Sequence, residues 1–254
     1  MPKNPNSQLE NREKVMTLGE HLDELRSRII KGLLILFGIT ILGLFYGSEI
    51  HKAFIQPYRN VLGQNATFYQ IQLMAPFLVY LKTSFFLALL LCFPLLLYLV
   101  WGFIAPAFSE SLERSGRYLI LSSTLLFWAG IILCWFSVFE SFLRIFLVTF
   151  IPEGVEARLP IDEYYDLFFN LHLVFGLSFQ LPIVMILLAS VGILKADFLK
   201  SKWRESIVGI AFFSAIFSPG PDVFSMLMLL FPLLILFLVS FFIIIRIEKT
   251  HETH

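Results

Sequence analysis

Apolar residues run along this chain in blocks too long and unbroken for strands. Five of them, 29–46, 83–104, 118–139, 167–188 and 223–245, come close to or exceed the roughly 20 residues a helix needs to cross a hydrocarbon core. Charged or turn-forming residues bound each block, as they do in membrane spans. A sixth block, 207–217, is shorter, but Ser-Pro-Gly-Pro-Asp at 218–222 supplies a tight turn that lets it pair antiparallel with the last one. The pattern predicts an all-α integral membrane protein of six transmembrane helices. No repeat or separate soluble segment stands out, so 1–254 reads as a single membrane unit.

The polar positions between the blocks add orientation. Thr17 and Glu20 have the spacing of a capping box, so a helix begins near Leu18. Leu18, Leu22, Leu25 and Ile29 fall on one stripe of that helix, and Glu20, Glu24 and Arg28 on another, which makes it an N-terminal amphipathic helix at the membrane surface. The hydrophilic stretch before the first block has the wrong order for a cleavable signal peptide, so that block is expected to remain as an anchor. With an even number of spans, fourteen Lys and Arg fall on the side of the termini and five on the other. The positive-inside rule then puts both termini in the cytoplasm. The two outer connections, 47–82 and 140–166, are long and rich in aromatic residues, carry Pro57, Pro76, Pro152 and Pro160, and should form structured caps.

Composition agrees with this picture. Hydrophobic residues make up 57% of the 254, with 29 Phe, and charged residues only 15%, below the roughly 25% of soluble domains. A formal net charge of zero gives no reason to expect nucleic acid or another polyanion as a partner. Cys92 and Cys134 lie far apart in apolar blocks and read as small hydrophobes, without a disulfide framework or CxxC motif.

Several polar groups invite chemical readings. Glu24 is either a solvated charge paired with Arg28 or a carboxylate kept at the interface for a cationic partner, and Glu113 in the next cytoplasmic loop carries the same two readings. Pro94, Pro182 and Pro232 should kink their spans. Gln180 and His172 share the fourth span, where an intramembrane polar group is a candidate site, although His172 reads better as packing. Lys82 is expected to reach for the headgroups, and Asp222 to cap the last span. Enzyme motifs are missing: Gly176-Leu-Ser178 is followed by Phe179, its potential partner His172 lies on the same helix, and no HExxH or phosphate loop occurs. No catalytic residue, metal or cofactor is expected. A small-solute transporter would want a polar midplane, for which only Gln180 and Ser178 offer themselves.

Taken together, His21-Leu-Asp-Glu24-Leu-Arg26-Ser-Arg28, then Pro94, Tyr98, Trp101 and Phe103-Ile-Ala-Pro106 before Glu113-Arg114, then Phe175-Gly-Leu-Ser-Phe-Gln180-Leu-Pro182 and Pro221-Asp222-Val-Phe-Ser225, resemble the TatC family, the core subunit of the twin-arginine protein translocase. The resemblance implies a six-span receptor in a bacterial-type cytoplasmic membrane. It would bind signal peptides bearing two consecutive arginines and pass folded proteins across using the proton-motive force. It implies Glu24 and Glu113 as the arginine-binding carboxylates with Leu22, Arg26 and Phe103 in support, and Pro57, Pro94, Pro182 and Asp222 as motif positions. It further implies TatA- or TatB-type single-span partners, in homo- and hetero-oligomers within the lipid bilayer, with Gln180 as an intramembrane contact. Gln180, Met226 and Leu238 stand where the family commonly has ionisable or more polar residues.

Overall fold

The computed structural model describes residues 18–105, 116–155, 158–218 and 222–252. Inside a bilayer no water satisfies backbone amides, so the apolar blocks must close their own hydrogen bonds as helices. Among the described residues all extended regular structure is helical. In chain order the helices are α1 (Leu18–Phe45), α2 (Gly47–Phe54), α3 (Gln56–Leu62), α4 (Ala75–Ile104) and α5 (Gly116–Thr149). There follow α6 (Ile161–Ser178), α7 (Leu181–Ser190), α8 (Ala196–Ser201), α9 (Trp203–Phe217) and α10 (Val223–Glu252). The amphipathic stretch near the N-terminus forms the first turns of α1 itself.

Five stretches are long and apolar enough to cross a membrane: within α1, α4, α5, α6 with α7, and α10. The sixth expected span falls in α9, whose 15 residues reach only about 22 Å. It folds back along α10, with Trp203 and Ile207 beside Leu234, Leu238 and Phe241. Elsewhere the helices outrun the apolar blocks, because charges at their ends find partners. Lys82 pairs with Asp166, and Glu140 lies 3.8 Å from Arg144.

Each proline acts differently. Pro94 and Pro232 sit inside unbroken α4 and α10, whereas Pro182 opens α7, and Phe179 and Gln180 form a break after α6. Pro57 stands in the first turn of α3, where a missing N–H costs nothing. Asp222 caps α10 as expected, accepting from the Ser225 N–H at 2.9 Å and from the Ser225 hydroxyl. Burial works to raise its pKa, but these bonds prevail and hold the carboxyl below its ordinary value.

At the end of the bundle formed by the two long connections, aromatic side chains make the core. Phe168 is fully buried, with ring centroids 5.0 Å from Phe54, 5.1 Å from Phe139 and 5.5 Å from Trp135. Two π-helical turns interrupt α5, Cys134–Phe139 and Ile145–Thr149, and Cys134 and Phe139 are buried in this cluster. The Tyr164 hydroxyl donates to the Phe54 carbonyl at 2.7 Å, and His51 Nδ1 lies 2.6 Å from the Tyr165 hydroxyl. Burial, then the nearby Arg59 charge, lowers the pKa of His51. The two connections clasp one another directly: Tyr69 N–H donates to the Leu159 carbonyl at 3.1 Å, and Ile161 N–H to the Tyr69 carbonyl at 3.0 Å. Both are structured, as their composition predicts.

In the middle of the bundle α5 and α6 meet at Gly130 and Gly176. A methyl group on Gly130 would stand 2.8 Å from the Phe175 carbonyl oxygen, and one on Gly176 2.6 Å from the Phe127 ring. With no hydrophobic force acting between helices in lipid, such close backbone approach is what holds them. Several hydroxyls in the spans satisfy themselves on their own helices, as Thr40 does on the Leu36 carbonyl and Thr83 on that of Val79, both at 2.8 Å. Large apolar side chains such as Phe37, Phe136, Phe212 and Phe231 point outward, as a lipid-facing surface requires.

Candidate functional site

The opposite end of the bundle brings the first turns of α1 against the last turn of α4. On α1 a four-residue step keeps side chains on one face, so Leu22 and Arg26 share an exposed side while Glu24 and Arg28 share another that turns toward α4. Arg28 and Glu24 keep 25% and 28% of their side-chain surface, enough for a ligand to reach them. Arg28 Nε donates to Glu24 Oε1 at 3.0 Å, and Nη2 donates to the same oxygen at 2.5 Å. The pairing read from the spacing is therefore present.

Arg28 is also held by α4. Its Nη1 donates to the Leu99 carbonyl at 3.4 Å, and the guanidinium lies directly on Gly102, where a Cβ would stand 2.2 Å from Nη1. Beside it runs an apolar groove of about 230 Å³, lined by Leu25, Ile29, Leu96, Leu99 and Val100 among others. Phe103, next to Gly102, is half-buried. The corner is closed by Trp101, whose ring lies on Gly116 at the start of α5. Glu113 lies outside the described residues. Sequence reasoning missed Leu99 and Gly102. A backbone carbonyl leaves no trace in sequence, but a glycine one turn from the end of a long helix is a signal of close approach that could have been taken.

A second polar place lies within the membrane, at the break between α6 and α7. Gln180 Nε2 donates to the Ser123 carbonyl on α5 at 3.0 Å, and the Ser123 hydroxyl donates to Gln180 Oε1. The amide thus ties the broken helix to its neighbour, leaving one of its two N–H hydrogens to serve a partner. Gln180, Ser178, Ser206, Gly209 and Phe213 line a groove of about 440 Å³ against α9 and α10, and the buried Ser178 hydroxyl has no hydrogen-bond partner. Replacing Gln180 with Leu removes both bonds to Ser123 and should cost about 1–2 kcal/mol. Thermal unfolding in detergent would register this as a lower midpoint, and an unchanged midpoint would mean that the tie carries no weight.

His172 belongs to the aromatic core. It is buried, stacks on Phe168 at 4.1 Å and sets Nδ1 2.7 Å from the Phe168 carbonyl. Among the described residues no three or more His, Cys, Asp or Glu are grouped as a metal site would need.

Comparison with known proteins gives one answer throughout. Residues 20–232 match the family described as Sec-independent protein translocase protein (TatC). The chain is similar to the Sec-independent protein translocase protein TatC of Azotobacter chroococcum mcd 1, with 33% identity covering 93% of this chain and 92% of the relative. It is likewise similar to the TatC of Escherichia coli K12, with 32% identity over 91% and 88%. The chloroplastic TATC of Arabidopsis thaliana is 33% identical over 89% of this chain and 65% of that protein. Among solved structures, the twin arginine translocase receptor TatC in DDM superposes with a TM-score of 0.78 at 27% identity, covering 89% of this chain and 99% of that one.

Proposed function

The chain belongs to the TatC family of Sec-independent protein translocase proteins, and from that premise we propose that it is the signal-peptide receptor of its translocase, with Glu24 and Glu113 taking the two arginines. It is a membrane protein and a core component of a twin-arginine translocase, a family of transport rather than catalysis. The observation that supports the receptor reading most is the part-buried Glu24 carboxylate, which already holds a guanidinium where α1 and α4 meet. Leu22 and Arg26 on the exposed side of α1 and Phe103 on α4 flank the bound peptide. Such a site works by binding alone, and the proton-motive force supplies the work of moving a folded protein across the cytoplasmic membrane.

The rest of the reading follows from the family. The whole of 1–254 acts as a single membrane unit, with α9 completing a sixth crossing and both termini in the cytoplasm. Single-span TatA- or TatB-type subunits join it in homo- and hetero-oligomers, using the remaining amide hydrogen of Gln180 as one contact. Pro57, Pro94, Pro182 and Asp222 shape the helix ends and passages that keep the scaffold in place.

A guanidinium presents two parallel N–H groups to a carboxylate, and an ammonium cannot reproduce that geometry. A labelled peptide with two arginines should therefore bind the membrane-embedded protein at least about tenfold more tightly than its twin-lysine counterpart. Equal affinities would overturn the reading.

A further inference from the structure

The place where Arg28 lies is a built seat for a guanidinium. One carboxylate oxygen of Glu24 takes Nε and Nη2, the Leu99 carbonyl takes Nη1, and Gly102 provides a floor with no side chain in the way. Resting on the receptor reading above, we propose that Arg28 is an internal surrogate for an arginine of the signal peptide: it fills this seat in the unliganded protein and is displaced when the peptide binds.

Three features carry the proposal. First, both Arg28 contacts to the carboxylate fall on Oε1, so Oε2 is left for an arriving guanidinium to touch before Arg28 has moved. Second, the pair is an i,i+4 contact that keeps about a quarter of its surface, and ion pairs of that kind contribute little, so Arg28 is easily exchanged. Third, one carboxylate charge compensates only one guanidinium, so two of them at Glu24 would repel each other, which favours exchange over sharing. Arg28 has a long flexible stem and keeps a quarter of its side-chain surface exposed, so its head can swing away from Glu24.

The sign of the effect is fixed by competition. An internal competitor divides the affinity of every cationic ligand for Glu24 by the same factor. It leaves the preference for arginine over lysine unchanged and raises the threshold that any ligand must pass. Sequences with weak basic segments are thereby kept off the receptor.

The test uses the full chain in lipid nanodiscs with labelled twin-arginine and twin-lysine peptides. Arg28→Gln should tighten both by a similar factor, about three- to tenfold. Arg28→Lys keeps the charge but cannot grip Glu24 and the Leu99 carbonyl together, and it should tighten both peptides as well. Gly102→Ala fills the floor under Arg28 and under an arriving arginine alike, so it should not tighten the twin-arginine peptide, and a gain there would overturn the proposal. A gain in Arg28→Gln with none in the charge-retaining Arg28→Lys would reduce the effect to lost repulsion and overturn the proposal. So would weaker binding in Arg28→Gln, which would make Arg28 a support for Glu24. Glu24→Gln is run alongside: if it does not weaken the peptide, the receptor reading itself fails. If it does weaken the peptide while Arg28→Gln gives no gain, only the surrogate fails.

Discussion

Replacing Glu24 with glutamine lowers the affinity for a twin-arginine peptide by about one to two decades, the equivalent of one charge-assisted hydrogen-bonded pair worth about 1.5–3 kcal/mol. Glutamine keeps the size of the side chain and an oxygen that can still accept from Arg28, so the α1–α4 corner stays filled while the charge is lost. Alanine would do more damage, because it would leave Arg28 with only the Leu99 carbonyl in a part-buried place. Glu113→Gln should cost a similar factor if each carboxylate receives one arginine. The double variant should then lose about two to four decades, provided the two sites are independent. A binding titration in nanodiscs reads all three. Wild-type affinity in both single variants would remove the carboxylates from the mechanism.

The largest effect on stability should come from Phe168→Ala. Phe168 is fully buried and touches rings from α2, α4, α5 and α6, among them Phe54, Phe86, Trp135, Phe139 and His172. Truncating a buried phenylalanine typically costs about 3–5 kcal/mol in transfer and cavity terms together. The helices here stay in lipid or detergent when they separate, so part of the transfer term is absent and the low end, about 3 kcal/mol, is expected. Equilibrium unfolding in mixed micelles would show it as a lower midpoint. A loss below about 1 kcal/mol would mean that the cavity collapses and that the cluster is less tightly packed than its ring distances imply.

Long apolar blocks made the architecture legible before any coordinates, because a bilayer leaves the backbone one solution and the length of each block reveals it. The ends were less legible. Runs of apolar residues stop at Lys82, Arg144 and Asp166, whereas the helices continue, since Lys82 and Asp166 pair across two helices far apart in sequence. Pro94, Pro182 and Pro232 look alike in sequence, yet only Pro182 coincides with a break, where Gln180 is tied to Ser123. At the site, the pairing of Glu24 with Arg28 follows from a four-residue step and could be read directly. The rest of the seat comes from α4 as a carbonyl and a bare glycine, neither of which announces a ligand. Short α2 and α3 could be anticipated only as structure of some kind, since neither is long enough to show a periodicity of its own.

The clasp between Tyr69 and the backbone around Pro160 also bears on how the protein is made. Its first half emerges before α4, and its second half only after α5 has been synthesised. For all that interval the segment holding α2 and α3 has no backbone partner from the second connection, and Tyr58 and Phe68 lack Tyr164 to pack against. The cap therefore sets late in biogenesis. A chain halted before residue 159 would carry four of the helices that build this end with the joint between them still open.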